Sequence, residues 1–256
     1  MKKIKILTAV GTRPEIIRLS RTIDFLNKNT NHKLIHTGQN YDDELNKIFF
    51  KDLGLRNPDF KLNIKGKSLM ESISQILSEV DKILEKEKPD AFLILGDTNS
   101  CLAAYCAKRR KIPIFHIEAG NRCYDQRVPE EINRKIIDHI SDINITYSDI
   151  AKDNLLRENI SPDKIFKIGS PLYEVFDFYK NKILKSKILN KYKLKKNNFY
   201  LVSVHREENL DNDKNLLNFI NLLEYLNQRD NKKTIVSTHP RTMNKIKDKR
   251  LKEMKN

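Results

Sequence analysis

Short apolar runs alternate along this chain with stretches in which apolar residues recur every three or four positions. The runs at residues 4–9, 33–36, 91–95, 112–117, 143–147, 164–168, 199–204 and 234–237 read as strands. Between them, Ile73, Ile76, Leu77, Val80, Ile83 and Leu84 form the clearest helical stripe, with the spacing of one buried helix face. Strand-then-helix repetition predicts an α/β fold with a parallel sheet covered on both faces. Residues 178–198 lack Gly and Pro but are crowded with Lys and Asn, and read as a helix leading from one domain to the next. The first domain is therefore expected over 1–168, a connecting helical segment over 169–198, and the start of a second domain over 199–256. That second part offers two strand candidates where a doubly wound domain normally has about five, so it reads as incomplete.

Composition narrows the class. The chain has 256 residues, of which 39% are hydrophobic and 32% charged, which suits a globular protein on the polar side. Its apolar runs are too short to span a membrane. The first ten residues contain Lys5 inside the apolar run and lead into Gly11-Thr12-Arg13-Pro14-Glu15 with no small-residue cleavage pattern. They read as a first strand rather than a signal peptide, and the expected location is the cytoplasm. Cys101, Cys106 and Cys123 are not spaced as a disulfide framework and suit reduced thiols. The net charge of +15 admits nucleic acid, an anionic membrane or an anionic small substrate. Much of it lies in Lys-rich stretches, 180–196 and 245–255, that read as solvated helix faces. No zinc-finger spacing or RNA-binding aromatic signature accompanies it, so neither nucleic acid nor membrane is the expected partner.

The chemistry is concentrated after the strand candidates. Gly11, Gly38, Gly96, Gly120 and Gly169 each follow one, and the same turns carry Arg13, Asp97, Glu118 with Arg122, and Ser170. Residues 116–122 and 129–134 hold carboxylates, arginines and asparagines just past a buried strand, where open α/β sheets bind ligands. A charged surface loop is the alternative. No G-x-G-x-x-G or G-x-x-x-x-G-K-[ST] pattern occurs, so a dinucleotide cofactor and P-loop chemistry are not expected. No cofactor is expected at all. His116, Glu118 and Asp97 are conceivable ligands for a divalent ion, but no further ligand cluster supports one, and no metal is expected. The spacing of Cys101 and Cys106 suits neither a zinc nor a redox pair, and Ser100, Ser141 and Ser170 lack a nucleophile elbow.

Gly11-Thr12-Arg13-Pro14-Glu15, Thr37-Gly38-Gln39, Gly96-Asp97-Thr98-Asn99-Ser100, His116-Ile117-Glu118-Ala119-Gly120, Pro129-Glu130-Glu131-Ile132-Asn133-Arg134, Ser141-Asp142 and His205-Arg206-Glu207-Glu208-Asn209 form an ordered series. In order and spacing it closely resembles the non-hydrolysing UDP-N-acetylglucosamine 2-epimerase family. Residues 121–131, Tyr147-Ser148-Asp149-Ile150-Ala151 and Gly169-Ser170-Pro171 look like the branch that makes UDP-N-acetyl-L-fucosamine from a 6-deoxy-talose precursor. The alternative within the family is epimerisation of UDP-N-acetylglucosamine itself. Two readings outside that activity are a GT-B-type glycosyltransferase, whose nucleotide groove would not need clustered N-terminal carboxylates, and a non-catalytic sugar-nucleotide binding protein.

The resemblance implies two Rossmann-like, GT-B-type domains with parallel sheets. It also implies elimination of UDP across C1–C2, a 2-acetamidoglycal, and re-addition of UDP. Such chemistry needs an acid and a base on either side of C2 and cations for the diphosphate. Carried over by motif, Asp97, Glu118 and Glu130 are the proton-handling carboxylates, with base and acid unassigned. Arg13 and His205 join them as catalytic residues, Arg13 on the diphosphate or acetamido group and His205 on the leaving phosphate. Asn133 and Arg134 are expected to hold the site's carboxylates, with a simple ion pair between Arg134 and Glu130 or Glu131 as the bland alternative. Arg18, Gln39, Arg122, Ser170, Arg206, Glu207, His239 and Arg241 complete the implied substrate-binding set. Arg18 stands where the family usually has Lys, and Asn40 where it usually has His, which puts activation by a second substrate molecule in doubt. The family's Ser-Gly-Gly…Glu-Glu segment has no counterpart here, so the second domain is expected to be cut short. A homodimer is the implied assembly of the complete form.

Overall fold

A computed structural model describes residues 3–38, 43–204 and 213–238. The chain divides into two compact units, residues 1–180 and 181–256.

The first unit is built on seven parallel strands: β1 (Lys5–Val10), β2 (Asn31–His36), β3 (Phe60–Lys61), β4 (Ala91–Leu95), β5 (Ile114–Ile117), β6 (Ile143–Thr146) and β7 (Ile165–Lys167). Their order is β3-β2-β1-β4-β5-β6-β7, with every neighbouring pair parallel. The chain winds outward from β1 to β3 and then returns to place β4 on the other side of β1. That reversal puts the topological switch point between β1 and β4, and ligands of such sheets bind at the carboxyl edge of that point. Strand β3 was not foreseen; two residues are too few to display alternation.

Alternation within the strands builds two cores. Leu7, Ala9, Phe92, Ile94 and Ile114 face a cluster with Ile76, Val80 and Leu84 of helix α3 (Leu69–Glu87), Cys106 and Ala107 of α4 (Ala104–Arg109), and Ile137 of α5 (Pro129–Ile140). Val10, Leu93, Leu95 and Ile117 face the other cluster, with Ile16, Leu19, Ile23 and Leu26 of α1 (Arg13–Asn29) and Phe50 of α2 (Asp43–Asp52). A two-residue period sends neighbours to opposite faces, so both faces are dry and the central strands read as continuous apolar runs. The stripe read from the sequence is the buried face of α3. It begins at Ser68, whose hydroxyl accepts from the Glu71 amide at 3.1 Å and so satisfies an otherwise unpaired N–H of the first turn.

Helix α6 (Asp149–Arg157) packs against the turn after β5. Gly120 lies at φ +79° there, and a Cβ on it would sit 2.1 Å from the Ala151 carbonyl oxygen. Helix α7 (Pro171–Leu184) crosses the boundary between the units. Its first part belongs to the first unit: Val175 is buried, the Tyr179 hydroxyl donates to the Leu53 carbonyl at 2.5 Å, and the Arg21 guanidinium stacks 3.5 Å above the Phe178 ring. The expected connecting segment over 169–198 is thus divided, because those apolar side chains find partners on the first unit. The single helix expected over 178–198 is also broken. The Ile188 amide donates to the Ser186 hydroxyl at 3.3 Å, a local bond that competes with the helix ladder, and a short α8 (Ile188–Lys191) starts anew. Among the described residues, positions 180–196 are mostly exposed, as a solvated basic face should be.

In the second unit, β8 (Phe199–Val204) and β9 (Lys233–Thr238) pair in parallel on either side of α9 (Asp213–Asp230), one strand–helix–strand turn of the same architecture.

Gly120→Ala should destabilise the protein by about 2–4 kcal/mol, since a left-handed conformation and an overpacked contact add. Urea denaturation followed by circular dichroism measures it; a loss under half a kilocalorie would show that the α6 contact yields easily.

Candidate active site

Strand ends along the carboxyl edge deliver a cluster of charged side chains. Glu118 follows β5 in a left-handed conformation, φ +70°, which is uncommon for residues other than Gly, Asn and Asp. Its carboxylate is mostly withdrawn from solvent and is paired with Arg18 of α1. The Asn121 side-chain amide donates to its other oxygen at 3.4 Å. Burial pushes the Glu118 carboxyl above the ordinary glutamate value; Arg18 opposes that rise, and the charge of Asp97 adds to it. The Tyr147 phenol, at the end of β6, is pushed up by burial and by the neighbouring Glu118.

Asp97 follows β4 and is gripped by Arg134 of α5, with Nε 2.8 Å and Nη2 2.5 Å from Oδ2. The same guanidinium bonds the buried Glu131 at 3.0 Å. The Asn133 amide donates to the Asp97 backbone carbonyl at 2.8 Å. Asn133 and Arg134 therefore hold the β4 turn from the first turns of α5. Glu131 accepts the Cys123 and Tyr124 amides at 3.0 and 3.2 Å. Burial alone would raise its carboxyl, but these donors and Arg134 hold it below the ordinary range. Glu130, one residue earlier, is exposed.

Underneath lies a buried charge chain. His116 donates from Nε2 to the Gly96 carbonyl at 2.8 Å, and its Nδ1 lies 2.9 Å from Asp138 Oδ1. Asp138 also accepts the Gly120 amide at 3.1 Å and meets Arg122 Nη1 at 2.8 Å. The Arg122 side chain is 0% exposed. Its Nε and Nη2 reach Glu158 at 2.8 and 2.6 Å, and Nη1 also reaches the Asn121 carbonyl. Arg122 was expected to bind substrate; all three nitrogens are instead engaged inside the protein, and its work here is to fix the loop after β5. Glu15 of α1 is a second buried carboxylate. It accepts the Gly11 and Thr12 amides at 2.9 and 2.6 Å and the Thr98 hydroxyl at 2.9 Å, tying the β1 turn to the β4 turn. Burial raises its carboxyl despite these donors.

The structure thus brings Asp97, Glu118, Arg18, Asn133 and Arg134 to one edge. Arg13 opens α1 at that edge, exposed, with its guanidinium 5.7 Å over the Phe49 ring. Ser170 is exposed and accepts the Leu172 amide at 3.3 Å, beginning α7. Gln39, Asn40, His205, Arg206, Glu207, His239 and Arg241 lie outside the described residues. Among the described residues, no three His, Cys, Asp or Glu side chains gather as a metal-binding group, and no helix is long and apolar enough to cross a membrane. Sequence reasoning gave no role to Glu15, Asp138 or Tyr147. Tyr147 directly follows a strand, the signal that located the other site residues; Asp138 sits mid-helix and gives no such sign.

Chemically, carboxylates of unequal proton affinity beside arginines can take a proton, return one, and neutralise an anionic group. Comparison with known proteins identifies the family. The family model described as UDP-N-acetylglucosamine 2-epimerase matches residues 25–256. A curated protein of Methanocaldococcus jannaschii named UDP-N-acetylglucosamine 2-epimerase is 39% identical over 261 residues, 96% of this chain and 68% of the relative. A Pseudomonas aeruginosa protein named UDP-2,3-diacetamido-2,3-dideoxy-D-glucuronate 2-epimerase is 34% identical, over 93% of this chain and 68% of its own length. Among solved structures, UDP-N-acetylglucosamine 2-epimerase from Rickettsia bellii superposes with a TM-score of 0.90 at 51% identity, covering 99% of this chain and 67% of that one. The M. jannaschii enzyme in complex with UDP-GlcNAc and UDP gives 0.87 at 38% identity, covering 98% and 70%.

Asp138→Asn should cost about 3–5 kcal/mol of stability, the scale of a broken buried ion pair. Burial raises the Asp138 carboxyl, but His116 and Arg122 outweigh it and hold it below the ordinary value of 3.8. The stability it contributes is complete above that value and is lost as pH falls through the lowered folded-state value. Urea midpoints recorded from pH 7 down to pH 2 should therefore show a larger acid loss in the wild type than in the variant, which keeps the other lowered carboxylates; parallel curves would refute the assignment.

Proposed function

The chain belongs to the UDP-N-acetylglucosamine 2-epimerase family, a family of isomerases, and on that premise we propose that it inverts C2 of a UDP-2-acetamido sugar by eliminating and re-adding UDP. The C2 hydrogen is not adjacent to a carbonyl, and the chain carries no dinucleotide fingerprint. A carboxylate removes the C2 proton while the C1–O bond breaks, and UDP departs with the bonding electrons. The resulting 2-acetamidoglycal is protonated at C2 from the opposite face, and a phosphate oxygen of UDP closes on C1.

The observation that carries this reading is Glu118, a largely buried carboxyl of raised proton affinity at a strand's carboxyl end, balanced between Arg18 and the charge of Asp97. A group tuned upward toward neutral pH is suited to proton transfer. Asp97 and Glu130 are its proposed partners. That Glu130 is exposed while Glu131 is spent on the Cys123 and Tyr124 amides supports Glu130 as the reactive member of the pair. Arg13, Arg18 and His205 are assigned to the diphosphate and acetamido groups. Gln39, Ser170, Arg206, Glu207, His239 and Arg241 remain proposed substrate contacts, by motif. A homodimer in the cytoplasm is the proposed setting; the three cysteines are free thiols.

Within the class, the segment 121–131 favours the 6-deoxy-talose nucleotide sugar and formation of UDP-N-acetyl-L-fucosamine. The names of the M. jannaschii and R. bellii relatives favour UDP-N-acetylglucosamine as a second reading.

Turnover in D2O should install deuterium at C2 of the product, seen by NMR, and Glu118→Gln should slow it by about two to four orders of magnitude. Product without deuterium at C2 would remove the mechanism. On kcat/KM, the 6-deoxy sugar nucleotide should lead UDP-N-acetylglucosamine by a factor on the order of a hundred at most, because an apolar pocket rejects one hydroxyl only modestly. The reverse preference would assign the chain to the second reading.

A further inference from the structure

The ring of Tyr147 directly follows β6 and packs on the cluster formed by α1 and the sheet. Its hydroxyl oxygen is fully buried and has no hydrogen-bond partner among the described residues. Other tyrosines in the chain differ. The Tyr124 hydroxyl donates to Asn154 at 2.7 Å and the Tyr179 hydroxyl to Leu53 at 2.5 Å. A buried hydroxyl left unpaired costs stability, and buried phenols normally find a partner.

The surroundings narrow what could supply one. Glu118 and Arg18 are close enough to act on the phenol electrostatically. Glu118 bonds Arg18 and Asn121, and its carboxylate makes no hydrogen bond to the phenol. Burial and the nearby carboxylate raise the phenol well above its ordinary value, so it stays protonated and presents a donor. Among the described residues the Tyr147 hydroxyl is thus an unmet donor, near the strand edge where Glu118 stands.

We propose that the Tyr147 hydroxyl is a substrate contact, donating a hydrogen bond to the acetamido oxygen or the ring hydroxyl that flanks C2 of the bound sugar. The proposal rests on the epimerase reading and adds a substrate-contact residue to it. It also gives a physical role to the Tyr147-Ser148-Asp149 segment, one of those that set this chain's branch resemblance apart.

Tyr147→Phe in the full chain removes the hydroxyl and keeps the ring. Its thermal midpoint should equal or exceed that of the wild type, because an unpaired buried polar atom is lost. Affinity for UDP alone, by calorimetry, should stay within about twofold, while kcat/KM for UDP-N-acetylglucosamine and for the 6-deoxy sugar nucleotide should fall about ten- to a hundredfold. Unchanged kcat/KM on both sugars overturns the contact, as does a drop of several degrees in the midpoint, which would mean a structural partner. A UDP affinity falling in step with kcat/KM would move the contact from sugar to nucleotide and overturn it too. An active wild type with an unaffected variant removes only this contact; a wild type inert toward every UDP-2-acetamido sugar removes the epimerase reading and the contact with it.

Discussion

The buried carboxylate of Asp138 is the group from which the open edge of the first unit hangs. It sits mid-helix in α5, yet it meets His116 of β5, the Gly120 amide in the turn after β5, and Arg122 in the loop beyond. His116 passes the connection to the Gly96 carbonyl at the end of β4, and Arg122 passes it to Glu158 just past α6. Two strand-end turns, a loop and two helices are thus referred to one ionised group. Replacing such a buried network with apolar side chains is often neutral for stability, so its contribution is better understood as geometric. It admits one arrangement of the β4 and β5 turns, and those turns carry Asp97 and Glu118.

Above that base, similar carboxylates are driven apart by their surroundings. Glu131 and Glu118 both lose water. Glu131 receives two backbone amides and a guanidinium and stays ionised below the ordinary range. Glu118 has Arg18 and one long amide contact against its burial, and its proton affinity rises. Donor number decides the sign. The first is thereby fixed as scaffold, and the second is left with the higher proton affinity of the two.

The positions of the strands other than β3, and of the charged turns, were legible in the sequence because both depend on local pattern. Continuous apolar runs mark doubly covered parallel strands, and the carboxyl-edge rule then points to Asp97 and Glu118. What pattern does not carry is which way a side chain faces once a helix has begun. Glu130 and Glu131 are neighbours in α5, and only the phase of that helix makes the first exposed and the second buried. Arg122 looks from sequence like any arginine beside a site, and only the long-range partners Asp138 and Glu158 take it into the interior. The unit boundary was hidden for the same reason, since Val175, Phe178 and Tyr179 reveal their attachment only through Leu53 and Arg21, which are distant in sequence.

The positive charge of the chain and the cations of its site are separate quantities. The net +15 is carried conspicuously by exposed lysines over 180–196. At the edge itself, Arg18 is paired with Glu118 and Arg134 with Asp97 and Glu131. An anion that engages either of these two guanidiniums must compete with a carboxylate for it. Arg18 is the principal influence that lowers Glu118, so any anion that draws Arg18 aside raises the proton affinity of that carboxyl. Lysine at this position would carry the same charge on a compact ammonium, whereas the planar guanidinium can bridge two acceptors at once. Anion binding and the protonation of Glu118 are therefore linked through one side chain, with no need for the backbone to move.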